Sequence, residues 1–163
     1  MSKEFITNNF KETQKLGELL ALELQGGEVL CMEGDLGAGK TTFTQGLLKG
    51  LKVKGPYTSP TFLIMKEYRI TQNVERKTWN AKRKLKSDAI HDPRSTIHGI
   101  YHIDAYRIDE KDLLNLGWEE IVADDKNIVI VEWSERVKKI LPKDALKIKF
   151  EWLDKNQRKI CFK

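Results

Sequence analysis

Cysteine is scarce in this chain and never paired in sequence. Cys31 and Cys161 are its two cysteines, far apart, and neither belongs to a Cys-x-x-Cys pair. That excludes a disulfide framework and a cysteine-built metal centre, and leaves two reduced core residues of a cytoplasmic protein. Long apolar runs are missing too. No stretch approaches the ~20 residues of a membrane span, so no membrane association is expected. The amino-terminal MSKEFITNN has no apolar stretch of the signal-peptide kind. Internal repeats are likewise absent.

What remains is ordinary globular material: 163 residues, 40% apolar and 33% charged. Residues 1–163 are therefore expected to form a single domain with its own core. The net charge of +5 is unevenly placed. Residues 71–98 carry seven Lys/Arg against three acids, a local +4, so the rest of the chain is nearly neutral at +1.

Strand-like and helix-like segments interleave. EFITN predicts a first strand, and NFKETQKLGELLALEL a helix with Asn9 as N-cap and Glu12 three residues on. Leu16, Leu19, Leu20 and Leu24 recur at helical spacing. EVLCMEG predicts a short buried strand and TTFTQGLLKGL a second helix. FLIMKEYRI and GIYHIDAYRI read as strands on either side of the basic segment, which itself contains a possible short helix, NAKRKLKSDAI. DEKDLLNLGWEEIVADD is amphipathic and helical, NIVIVEW is a β-branched run suited to a central parallel strand, and SERVKKILP suggests one more short helix. ALKIKFEWL and RKICFK, joined by DKNQ, alternate as a closing hairpin. The pattern predicts an α/β domain with a mainly parallel central sheet flanked by helices and an antiparallel C-terminal hairpin.

Between the second strand and the second helix lies GDLGAGKTT, Gly34 to Thr42. Gly34-x-x-x-x-Gly39-Lys40-Thr41 is the full phosphate-loop (Walker A) pattern. Glycines let backbone N–H groups converge on phosphates, the following helix offers its positive N-terminus, and the lysine adds a charge at the β/γ end. Four fixed positions would match by chance in roughly 0.5% of chains this long. Thr41 is the position whose hydroxyl reaches magnesium in such loops.

A phosphate loop needs a carboxylate at a neighbouring strand end. Glu132 closes IVIVE in the Walker B manner, and Asp104 closes GIYHID. Either is also an ordinary strand exit, and the residues alone leave open which would hold a metal and which would orient water. In YTSPT, Tyr57 to Thr61, hydroxyls beside a proline suit a γ-phosphate sensor and equally a simple turn. His102 reads as a core histidine. Arg107 is either a phosphate or partner contact or an exposed arginine, and Trp118, Trp133 and Trp152 read as core or interface aromatics.

Three other activities compete. A small-molecule kinase would normally need several arginines around the transferred phosphate. Outside the basic segment there are Arg69, Arg107, Arg136 and Arg158 alone. A GTPase switch would normally carry Asn-Lys-x-Asp, which does not occur. A non-hydrolysing nucleotide-binding module stays open.

GDLGAGKTTF, TSPTF, YHIDAYR, LGWEE, VEWSERV and LP follow one another in the order and approximate spacing of the TsaE (YjeE) ATPases, which this chain resembles from about Phe10 to Arg158. The resemblance implies a P-loop NTPase fold and an ATPase using ATP and Mg2+. It implies work alongside the TsaB–TsaD complex, which makes N6-threonylcarbamoyladenosine (t6A) in bacterial tRNA; the ATPase resets that complex and does not perform the transfer. By the same resemblance Gly37, Ala38, Gly39, Lys40, Thr41 and Thr42 wrap the phosphates, and Thr41 and Glu132 hold magnesium. Asp104 supports hydrolysis with Lys40 and Glu132, Ser59 to Thr61 form a switch, and Phe10 and Arg158 contact the nucleotide. Residues 71–98 depart from the family pattern as a basic insertion of roughly 20 residues, within what surface loops tolerate. It is either a solvated loop or a contact for tRNA phosphates.

Overall fold

The computed structural model describes residues 2–70 and 97–163, so the charge and short helix read in the basic segment lie outside the described residues. The described chain runs β1 (Lys3–Thr7), α1 (Phe10–Leu20), β2 (Val29–Glu33), α2 (Lys40–Gly50), β3 (Met65–Tyr68), β4 (Gly99–Asp104), α3 (Glu110–Asn115), α4 (Trp118–Ala123), β5 (Asn127–Glu132), β6 (Leu146–Trp152) and β7 (Arg158–Phe162). All seven strands join one sheet in the order β1-β7-β6-β2-β5-β4-β3. Its centre, β6-β2-β5-β4, is parallel. Antiparallel strands flank it: β3 on one side and β7 with β1 on the other. The expected C-terminal hairpin is β6–β7. Among the described residues no helix is long and apolar enough to cross a membrane.

Both faces of the parallel centre are covered, which explains the unbroken apolar runs in β2 and β5. Leu30, Met32, Ile100, Ile128, Ile130 and Ile148 face α1 and α2 with Phe43 and Leu47. Val29, Cys31, Ile103, Val129 and Val131 face Leu113, Trp118 and Ile121 of α3 and α4. Cys31 and Cys161 are buried and free, as expected.

Helix α1 starts where its cap places it. Asn9 Oδ1 accepts from Glu12 N at 3.0 Å, and Glu12 Oε2 accepts from Asn8 N at 2.8 Å. Leu16, Leu20 and Leu24 pack against the core as expected, but Leu19 is 49% exposed, and the small residues Thr13, Gly17 and Ala21 are buried beside them. The reason is proximity: a Cβ on Gly17 would lie 2.3 Å from Phe43 O of α2, and one on Gly46 would lie 1.9 Å from Gln14 O of α1. Only small residues fit that crossing. The helix also ends at Leu20, because Leu22 N and Glu23 N bond three residues back and tighten the chain into turns.

Three other expected elements are shorter. DEKDLLNLGWEEIVADD is two helices, broken at Gly117 with φ +83°. SERVKKILP forms only a 3-10 turn over Ser134–Arg136. FLIMKEYRI is a strand only at Met65–Tyr68, with Phe62 and Leu63 exposed in a turn.

Candidate functional site

The parallel strands β2, β4 and β5 end at one edge of the sheet, and the Gly34–Thr41 loop leaves β2 at that edge. The loop needs its glycines. Gly37 and Gly39 sit at φ +78° and +104°, where a side chain would be strained. Gly39 then N-caps α2 with no side-chain cap and no acid in the first turn. A side-chain cap would contribute about 1 kcal/mol. Its absence leaves the first N–H groups and the positive helix end for an anion.

Lys40 is buried. Its Nζ donates to the carbonyls of Gly34 and Asp35, the latter at 3.0 Å, and lies 3.7 Å from the centre of the Trp133 ring. Burial pulls its ammonium below the usual lysine range, against the opposing attraction of Glu132, Glu135, Asp104 and Asp35.

Two buried carboxylates stand side by side, since Asp104 and Glu132 are paired in register on β4 and β5. Their partners differ. Glu132 Oε2 accepts from Thr41 Oγ1 at 2.8 Å. Its Oε1 meets His102 Nε2 at 2.8 Å and Thr44 Oγ1 at 3.3 Å. Asp104 instead holds the TSPT loop: its Oδ2 accepts from Thr61 Oγ1 at 2.6 Å and Ser59 Oγ at 3.3 Å, and its Oδ1 from Tyr106 N at 3.0 Å. The same loop is anchored at the backbone, where Asp104 N donates to Ile64 O at 2.9 Å. Ile64 has φ +65°, a strained setting for a β-branched residue.

The residues from the two chain ends come together as well. Phe10 and Arg158 line one cleft of about 200 Å³ with Asn9, Thr13, Gly37, Gly39, Thr42, Lys155 and Asn156. Arg158 Nε donates to Gly37 O at 3.1 Å, tying β7 to the loop. A second cleft continues over Gly37, Gly39, Lys40, Thr41, Thr42, Glu132 and Trp133. Ala38 is buried beneath the loop. The structure thus groups Phe10, Gly37, Ala38, Gly39, Lys40, Thr41, Thr42, Arg158 and Glu132 around one surface, with Asp104, Ser59 and Thr61 beside it.

Metal fit follows from the donors. Among the described residues no cluster of three or more His, Cys, Asp or Glu forms a metal cage. Magnesium in phosphate sites needs none, being held by one or two protein oxygens and the substrate phosphates. Thr41 Oγ1 and Glu132 Oε2 are two such hard oxygens at the loop.

A family model described as "Threonylcarbamoyl adenosine biosynthesis protein TsaE" matches residues 7–82 and 83–160. The chain belongs to the TsaE family. Among curated relatives, the Aquifex aeolicus (strain VF5) protein named tRNA threonylcarbamoyladenosine biosynthesis protein TsaE is 38% identical over 160 residues, 97% of this chain and 93% of that one. The Bacillus subtilis (strain 168) protein of the same name is 32% identical over 156 residues, covering 96% and 82%. The crystal structure of Bacillus YdiB superposes with a TM-score of 0.66 at 28% identity, covering 99% of this chain and 84% of that one. The fold of this TsaE-family chain is that of a P-loop ATPase, with the P-loop at the C-terminal ends of its parallel strands.

Two side chains have a second role that sequence reasoning missed. His102 is buried and hydrogen-bonded as expected of a core histidine, and its polar partner is Glu132. Trp133 packs against the core as expected, and it also lies on Lys40 and 4.8 Å from the Tyr106 ring, so it borders the site as well. A signal existed for Trp133: it directly follows Glu132. Trp118 is buried with Nε1 on Ile140 O at 3.1 Å, Trp152 is exposed, and Arg107 lies over Phe62 at 5.4 Å.

Proposed function

We propose that this chain is an ATP-binding and ATP-hydrolysing accessory protein of t6A modification in tRNA, a Mg2+-dependent P-loop ATPase of low intrinsic activity. It acts in the cytoplasm with the TsaB–TsaD complex and supports that complex's turnover. Residues 1–163 work as one domain that carries a basic insertion at about 71–98. The observation that carries the reading is the Thr41–Glu132 contact at the mouth of a P-loop in a TsaE-family chain.

The chain's own groups divide the work. The N–H groups of Gly37 to Thr42 and the uncapped start of α2 receive the phosphates. Lys40 exchanges the neutral carbonyl acceptors of Gly34 and Asp35 for the anionic β/γ oxygens, so that both partners of the bond are charged. Phe10 and Arg158 flank the nucleoside end. Thr41 and Glu132 would hold magnesium, which when bound would supply charge neutralisation at the phosphates. Asp104 orients the attacking water once Ser59 and Thr61 turn from its carboxylate to the γ-phosphate.

The test is ATP hydrolysis by the purified protein with and without its cognate TsaB–TsaD complex, beside Lys40→Ala and Glu132→Ala. Stimulation that both variants lose supports the reading. Full activity that ignores the complex, with phosphate passed to a small acceptor, overturns it in favour of a kinase.

A further inference from the structure

Glu132 has two carboxylate oxygens, and they are held differently. On Oε1 the candidate donors are His102 Nε2 at 2.8 Å and Thr44 Oγ1 at 3.3 Å. Thr44 has one hydroxyl proton to give, and its Oγ1 is closer to Lys40 O, at 3.1 Å, than to the carboxylate. His102 is therefore the committed partner. A carboxylate only accepts, so Nε2 carries the proton. The other ring nitrogen, Nδ1, is buried and has no hydrogen-bond partner among the described residues. A proton there would be a buried donor with nothing to accept it. The imidazole thus has a single polar task, and that task is Glu132. Geometry makes the contact diagonal: His102 pairs in register with Ile130, and the ring reaches along β5 to the next residue on the same face.

We propose that His102 is a positioning residue for magnesium binding. By fixing Oε1 it turns Oε2 toward Thr41 and the nucleotide phosphates, and removing that bond lets the carboxylate rotate. The inference rests on the reading of Glu132 as the metal-holding carboxylate. Outer partners of metal ligands typically change metal affinity by roughly 10–100-fold.

The test uses the full chain and a fluorescent ATP analogue, measured first in EDTA and then across a Mg2+ titration. The variants are His102→Gln, His102→Asn and Glu132→Gln. A glutamine amide reaches the place of Nε2, whereas an asparagine amide reaches only that of Nδ1. His102→Asn should bind the nucleotide as wild type does in EDTA but need roughly tenfold more Mg2+ to tighten it. His102→Gln should recover most of that loss. Loss of packing alone would affect both variants alike, so equal Mg2+ curves for the two overturn the proposal, as does a wild-type curve for His102→Asn. If His102→Asn does not fold, a His102→Gln curve shifted as far as that of Glu132→Gln overturns it, and a wild-type His102→Gln curve supports it. An unshifted curve for Glu132→Gln removes the metal reading itself, a result distinct from failure of the histidine alone.

Discussion

Lys40 carries a full charge in a buried setting, held by two carbonyls and an indole face. Burial lowers its pKa from the ordinary 10.5, so at neutral pH the native state bears a cost that the unfolded chain does not. The sign follows from proton counting. Between the lowered native pKa and 10.5 the unfolded state binds more protons, so native stability rises with pH there, and the cost is fully present below that window. Lys40→Met lacks the titration. Urea unfolding of the nucleotide-free proteins should show wild type gaining on Lys40→Met as pH rises toward 10.5, and a constant difference would contradict this. Cys31 supplies a second residue-scale expectation. Burial pushes its thiol up to about 12, which leaves thiolate on the order of 1 part in 10⁴ at pH 8. N-ethylmaleimide should modify Cys31 only after denaturation, read by peptide mass spectrometry.

At the scale of elements, the α1–α2 crossing fixes the site's frame, because α1 begins at Phe10 and α2 at Lys40. Gly46→Ala would drive a methyl to 1.9 Å from Gln14 O, which no rotamer relieves. Overpacking of this kind costs roughly 1–3 kcal/mol, so the urea midpoint should fall, and nucleotide affinity should fall with it as Phe10 and the loop separate. Unchanged stability would mean the helices separate freely. The leucines of α1 marked most of its buried face, but the glycines of this crossing were illegible in the sequence, because a helix seen alone gives no sign that its neighbour is close enough to demand glycine. The loop and both strand-end carboxylates were legible, since local glycine spacing and an acid after an apolar run are short-range signals. The Glu132–His102 contact was not, because it depends on the register between β4 and β5, strands separated in the chain by α3 and α4.

For the whole molecule, the sheet itself bears on the basic segment. Strands β3 and β4 pair antiparallel, from Met65 with Ile103 to Tyr68 with Ile100. Such neighbours can be joined by two to five residues, so the sheet does not need residues 71–96 to close. Each doubling of loop length changes closure entropy by only about 0.6 kcal/mol. Replacing 71–96 with a short Gly/Asn link should therefore leave the thermal midpoint equal or higher and basal ATP hydrolysis intact. The +4 charge of 71–98 then has to be explained by something other than folding. If it meets tRNA phosphates, each contact releases counterions, and affinity becomes steeply salt-dependent. Neutralising Lys82, Arg83, Lys84 and Lys86 should then weaken tRNA-dependent stimulation and flatten its salt dependence while basal hydrolysis stays the same. A stimulated rate that ignores both the excision and the neutralisation would leave the segment a solvated loop; a collapse of basal hydrolysis on excision would place it inside the working domain.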